Sequence, residues 1–229
     1  MTTSGTYNFS PSLGEITIYA YNLVGIRGTS LLQEHMQSAR MAANMLLSRW
    51  SNQGVNLWAV DLITTPLVQG QSTYAVDSNT VMILDAYIEI DNGNGQPIDR
   101  LILPISRTEY ASYPNKEQQG FTTTFWFDRL LSPSVTLWPV PDGSATSLKY
   151  YRVRQIQDAN LQGGQQVEIP YLWLEAFAFG LAQRLATIWS PDKIAFLKPM
   201  ADEAYQIAAD QNVEQAQQYI SPIISGYFR

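Results

Sequence analysis

Leu46-Leu47-Ser48-Arg49-Trp50-Ser51-Asn52-Gln53-Gly54-Val55-Asn56-Leu57-Trp58 is where the sequence changes its period. Upstream, Leu32, Met36, Ala39, Ala43, Leu46 and Trp50 repeat at spacings of 4, 3, 4, 3 and 4. Those spacings put one apolar stripe on a helix over residues 30–52. Ser30 with Gln33 is expected to cap its start, and Gly54 suits its stop. Downstream of Leu57 the helical period is lost, and runs of apolar residues alternate or stand between turn signals.

Working back from this point, Ser12-Leu13-Gly14-Glu15 reads as a capping box opening a helix through Leu13, Ile16, Ala20 and Leu23. Glu15-Ile16-Thr17-Ile18-Tyr19 also alternates as a strand would, so both readings stand. Gly25 and Gly28 end the segment.

Working forward, residues 57–156 read as a mostly antiparallel sheet or small barrel. Thr73-Tyr74-Ala75 alternates after Gly70. Tyr87-Ile88-Glu89-Ile90 and residues 98–103 flank the hairpin loop Asp91-Asn92-Gly93-Asn94-Gly95. Ser106-Arg107-Thr108-Glu109 predicts a turn or two of helix inside the block. Residues 121–127, 135–138 and 147–154 supply the later strands, with Asp142-Gly143 as the turn before the last.

A third block is helical again. Pro170 fits the first turn of a helix carrying Leu174, Phe177, Leu181, Leu185 and Ile188. Ser190-Pro191 ends it and opens another through Ile194, Leu197, Ala201, Ala204 and Ala208. Pro199 must kink that helix or lie in its first turn. After Tyr219 come Ile220, Pro222, Ile223, Ile224, Tyr227, Phe228 and Arg229, an apolar tail too short to bury itself, which calls for a partner.

The fold expected is therefore α+β. Residues 1–56 and 157–218 form a helical bundle, 57–156 an inserted β module, and 219–229 an extended C-terminal tail.

Cysteine is absent, which excludes disulfides and thiolate chemistry. Net charge is −6, and charged residues make up 15%, below the ~25% of ordinary domains. Gln and Asn fill the polar positions instead. An acidic balance argues against a chain that grips nucleic-acid phosphates. The first ten residues have neither a basic nor an apolar leader region, and the longest apolar stretch is broken by Pro170 and Glu175. A soluble chain without a membrane partner is expected.

Catalytic constellations are scarce. His35 is the single histidine and sits one residue from the core stripe, a boundary position, so the usual zinc sites cannot be assembled. Gly93-Asn94-Gly95 lacks a third glycine and leads into Gln96-Pro97, not a helix. Residues 91–99 lack the alternating oxygen ligands and final Glu of a calcium loop. Glu168 with Glu175, or Asp85 with Glu89, could serve as a glycosidase pair, yet nothing in their spacing separates them from solvated carboxylates.

The β block is rich in aromatics: Tyr87, Tyr110, Tyr113, Phe121, Phe125, Trp126, Phe127, Trp138, Tyr150 and Tyr151. They read either as a stacking platform for sugars or as core and subunit interfaces.

The ordered set of residues 46–58, 67–76, Ile105-Ser106-Arg107-Thr108-Glu109-Tyr110, Pro114-Asn115-Lys116, 125–129 and 135–141 resembles phage head-to-tail adaptor (head-completion, tail accessory factor) proteins. The resemblance covers roughly residues 31–158, puts the first strand of the module at residues 67–76, and does not extend to residues 1–28. It implies a structural virion protein of the head-to-tail junction, made in the host cytoplasm, with no catalytic activity and no cofactor or metal.

It also implies a homo-oligomeric ring, usually dodecameric, docked on the portal protein and joined to tail (nozzle, tube or fibre) proteins. The C-terminal segment would engage the portal through Ile220, Pro222, Ile223, Ile224, Tyr227, Phe228 and Arg229. Genomic DNA would pass through the lumen without specific binding. A dodecamer at −6 per chain would carry about −72, which disfavours adhesion of DNA during ejection. The alternative function is a tail or baseplate module that binds host glycan through the aromatic β block.

Overall fold

The computed structural model describes residues 3–7, 9–54, 56–91, 93–161 and 164–213. The fold is α+β: helices from both ends of the chain and a large mixed sheet between them.

Helix α1, Leu13–Val24, settles the ambiguity of its sequence in favour of helix. Ser12 Oγ accepts from the Glu15 amide at 3.3 Å, and Glu15 Oε2 accepts from the Ser12 amide at 2.7 Å. At the other end Gly25 takes φ +94°, and the Ile26 amide reaches back to the Tyr21 carbonyl at 2.9 Å. The buried set Leu13, Ile16, Thr17, Ala20, Tyr21 and Val24 lies on one helical face.

Helix α2, Gln33–Gln53, starts later than the sequence pattern suggests. Ser30 is part of a short 3-10 turn, Gly28–Ser30, and does not cap it. The acceptor at the start of α2 is His35 Nδ1, which takes the Leu32 amide at 3.1 Å. His35 is accordingly buried, 8% exposed, not a boundary residue, whereas Leu32 is 60% exposed and leaves the predicted stripe. Ala39, Ala43, Leu46 and Trp50 hold their places in the core.

The β block opens with a strand that the alternation did not reveal, β1 at Val60–Pro66, ahead of the expected first strand. It is followed by β2 (Thr73–Ala75), β3 (Thr80–Ile90) and β4 (Ile98–Pro104). Next come the short helix α3 (Arg107–Ser112), capped by Ser106, and β5 (Gln119–Gly120). Then follow β6 (Thr124–Asp128), β7 (Ser134–Trp138), β8 (Val140–Pro141) and β9 (Ala145–Arg154).

Seven strands form one sheet in the order β1-β9-β3-β4-β6-β7-β2, and β5 and β8 form a small parallel pair. The hairpin expected around residues 91–95 is present, with Ile90 opposite Ile98. The sheet is antiparallel except where β4 meets β6, with Leu103 opposite Thr124. β4 is the seam: its first part pairs with β3, its last residues with β6. Ile88 and Leu148 from one side and Val135 and Leu137 from the other share one core, so the sheet curls around it.

Two more helices follow. α4, Leu174–Trp189, enters through a 3-10 turn after Pro170, and α5, Ile194–Gln211, enters through another after Ser190. α4 packs against α1, α2 and α5. Phe177, Leu181 and Leu185 are buried as expected, but Ile188 is 57% exposed. Pro199 lies inside α5 and beyond its first turn. Gly180 allows α4 to approach α2, for a Cβ there would stand 2.9 Å from Leu46 Cδ2. The helical core gathers residues from Leu13 to Ala208, separate from the core of the sheet.

Candidate functional site

The seven tail residues singled out from the sequence, Ile220, Pro222, Ile223, Ile224, Tyr227, Phe228 and Arg229, lie outside the described residues. Within the described part, several of the polar and aromatic groups that could carry chemistry hold one element to another.

His35 is the first case. Its ring stacks on Trp189 at 4.1 Å and meets Tyr21 edge-on at 5.5 Å. The Tyr21 hydroxyl donates to the His35 carbonyl at 2.6 Å, and burial pushes the Tyr21 phenol up to about 12. One imidazole nitrogen is spent on the Leu32 amide. The histidine thus joins α1, α2 and the end of α4; it is a packing and capping group.

One carboxylate from each of the two acid pairs weighed, Glu168 and Glu89, is held in its ionised form. Arg154 grips Glu168, with Nη1 donating to Oε2 at 2.8 Å and Nη2 to Oε1, and Glu168 also accepts from the Gln157 amide at 2.9 Å. The arginine hydrogen bonds hold the Glu168 carboxyl below its usual range, the wrong direction for a general acid. Glu89 is likewise lowered, first by its bond to Lys149, which also reaches Asp99 at 3.0 Å.

Arg152, 7% exposed, is the most buried cation in the ion pairs of the described residues. Its Nε donates to Asp61 Oδ1 at 2.8 Å, its Nη1 to Thr80 at 3.0 Å, and the same nitrogen stands 3.1 Å from Asp77. Arg154 lies 3.9 Å from the same Asp61. Asp77, Arg152, Asp61, Arg154 and Glu168 therefore form a ladder that runs from the turn before β3 through β9 and β1 into the segment before α4. Burying such charges without partners would be costly, and the ladder pairs each one.

The aromatic residues separate into groups. Phe125 and Tyr150 are core. Tyr110 and Tyr113, on and just after α3, stack on Trp126 at 5.5 Å and Trp138 at 4.0 Å. Trp138 Nε1 donates to the Asn115 carbonyl at 3.0 Å, and Lys116 Nζ donates to the Tyr113 carbonyl at 3.1 Å. These rings spend a face each on clamping α3 to β6 and β7. Tyr87 and Tyr151 meet edge-on at 6.4 Å on the outer side of β3 and β9, close to Leu62 and Leu101.

Among the described residues no group of His, Cys, Asp and Glu could hold a metal ion, and no helix is long and apolar enough to cross a membrane. What is left outside the two cores is a set of exposed apolar side chains on helix and sheet faces. Sequence reasoning missed the ladder because its members lie far apart in the chain; only the charge-bearing β9 segment Lys149 to Arg154 hinted at it.

The exposed apolar side chains of the helix and sheet faces are surface available for contacts with other chains. The model of a phage head-to-tail adaptor family, SU10 adaptor protein, matches residues 28–223, and the chain belongs to that family. No curated protein matches it. Membership makes the chain a phage structural adaptor, which implies a place in the virion and contacts with portal and tail proteins. The match extends the resemblance through α4 and α5, while α1 lies ahead of it and still contributes Tyr21 and Leu13 to the helical core.

Proposed function

We propose that this chain forms a ring that docks on the capsid portal, connects it to the tail and continues the DNA channel. The family match over residues 28–223 carries the reading, because it spans both the helical and the β parts. In this reading residues 1–56 and 157–218 build the ring body around the DNA channel, residues 57–156 face outward or towards the tail proteins, and the tail at 219–229 engages the portal. Its apolar residues, Ile220, Ile223, Ile224, Tyr227 and Phe228, would be buried on docking, and the cost of ordering the segment would be deducted from that gain. The acidic balance suits a lumen through which DNA passes without adhering. The rings a glycan platform would use stack on one another, so the adaptor reading is the better supported of the two.

The test is to mix the protein with the portal ring of its own genome and image the mixture by electron microscopy, then repeat with residues 220–229 deleted. A second ring stacked coaxially on the portal for the full chain, and its loss on truncation in a protein that still folds, is the expected result. Normal docking by the truncated chain would remove the tail from the interface. Failure of the full chain to associate at micromolar concentration would overturn the adaptor ring itself.

A further inference from the structure

The helical part carries two exposed faces of opposite character. One is a groove of about 510 Å³ between α2 and α4, lined by Met41, Met45, Arg184 and Ile188. Met41, Met45 and Ile188 are all more than half exposed. Arg184 is half-buried at its edge and feels Arg49 nearby; loss of solvent and that like charge both lower its pKa. Among the described residues neither arginine forms an ion pair, whereas every ion pair found there belongs to the β strands, the β2–β3 turn or Glu168. A half-buried guanidinium beside a second one, with no carboxylate in ion-pair contact with either among the described residues, is a place where negative charge is missing.

The other face is on α5. Leu197, Ala201 and Ala208 point into the core. Phe196, Met200, Glu203, Ile207 and Asp210 follow at spacings of 4, 3, 4 and 3, a single stripe on another flank. Phe196 and Ile207 are 65% and 62% exposed, and Glu203 forms no ion pair among the described residues. The stripe looks away from the groove: Asp202, Tyr205 and Gln206 are the α5 residues on the α2 side.

We propose that the α2–α4 groove of one copy receives the α5 stripe of the next, head to tail. Phe196, Met200 and Ile207 would lie against Met41, Met45 and Ile188, and Glu203 and Asp210 would face Arg49 and Arg184. The partner is a second copy because apolar size and charge sign match between two faces of the same chain. Two different faces make the contact heterologous, the kind that closes into rings. An amphipathic helix laid in an apolar groove is a recurrent recognition mode, and the charges set its register. The inference rests on the ring reading above and specifies which surfaces build the ring.

The chain has no cysteine, so introduced thiols give an unambiguous readout. Met45→Cys and Ile207→Cys chains, mixed on the portal ring and oxidised, are expected to give a disulfide-linked dimer, while either alone stays monomeric in denaturing gels. A chain carrying both is expected to give a ladder of higher oligomers. In parallel, Arg184→Glu and Glu203→Arg should each lower the fraction of portals bearing a ring about tenfold, and the two changes in one chain should restore most of it. A dimer from Met45→Cys alone would mean a two-fold contact and overturn the proposal. So would a ring visible in micrographs without the mixed disulfide, or without rescue by the double reversal; the ring reading would survive both. If no ring forms on the portal with the unmodified chain, the ring reading falls and this pairing with it.

Discussion

Arg154, at the end of β9, and Glu168, ahead of α4, form a two-pronged ion pair across the passage from sheet to helices, with Nη1 to Oε2 at 2.8 Å. Both side chains are about a quarter exposed. The pair closes the segment between them into a loop, which the Gln157 amide then joins through the same carboxylate.

This pair makes the sheet-to-helix junction sensitive to acid. The folded-state pKa of Glu168 is depressed by Arg154, so its contribution is fully present above the ordinary value of 4.5 and is lost as pH falls through the depressed one. Glu168→Gln is expected to lower stability by on the order of 1–2 kcal/mol at neutral pH and to flatten the acid limb of the profile. Urea denaturation at neutral pH and at about pH 3 checks this; an unchanged midpoint at neutral pH would deny the pair a structural role.

Asn44, in the middle of α2, acts on the same loop from the other side. Its Nδ2 donates to the Ala159 carbonyl at 3.0 Å, and its Oδ1 accepts from the Ala159 amide at 2.9 Å. Asn44→Ala leaves both backbone groups of Ala159 without these partners, at an expected cost of about 2 kcal/mol. Hydrogen exchange at the Ala159 amide should accelerate in the variant while the amides of β3 keep their protection.

Tyr21 contributes to the alkaline limb, alongside Tyr150 and Tyr205, which burial also raises. Its pKa is raised to about 12 by burial, so the folded state keeps the proton while an unfolded chain loses it near the ordinary value of 10.0. Stability is thus whole below about pH 10 and declines as pH rises towards 12, by up to on the order of 2–3 kcal/mol. Tyr21→Phe removes the bond to the His35 carbonyl, costs about 1 kcal/mol at neutral pH, and should make the alkaline decline shallower. Thermal melts at pH 8 and pH 11 distinguish the two chains.

The elements themselves were largely legible in the chain. Ser12 with Glu15, and Ser106 with Glu109, cap helices where they stand, because capping needs only residues three apart. Ala39, Ala43, Leu46 and Trp50 face the core because a helix repeats on its own period. Val60–Pro66 was missed: Val60, Leu62 and Ile63 do not alternate cleanly with polar residues, and what makes a strand of them is the pairing with β9, Leu62 opposite Tyr151. His35 was misplaced by one position on the helix, since the α2 start is set by the 3-10 turn before it and by Trp189, far away in the chain.

By itself the sequence determined the order of helical and β blocks, the absence of thiol chemistry, the polar, acidic character and the resemblance to adaptor proteins. All of these depend on composition or on residues within a few positions of each other. Only the tertiary structure decided that β4 turns from β3 to β6 and that Asp61 serves both Arg152 and Arg154. It alone decided that Glu168 is locked as an ion and that Arg184 stands near Arg49, neither of them in an ion pair among the described residues. Such facts depend on which distant segments meet, and on how much water is excluded when they do.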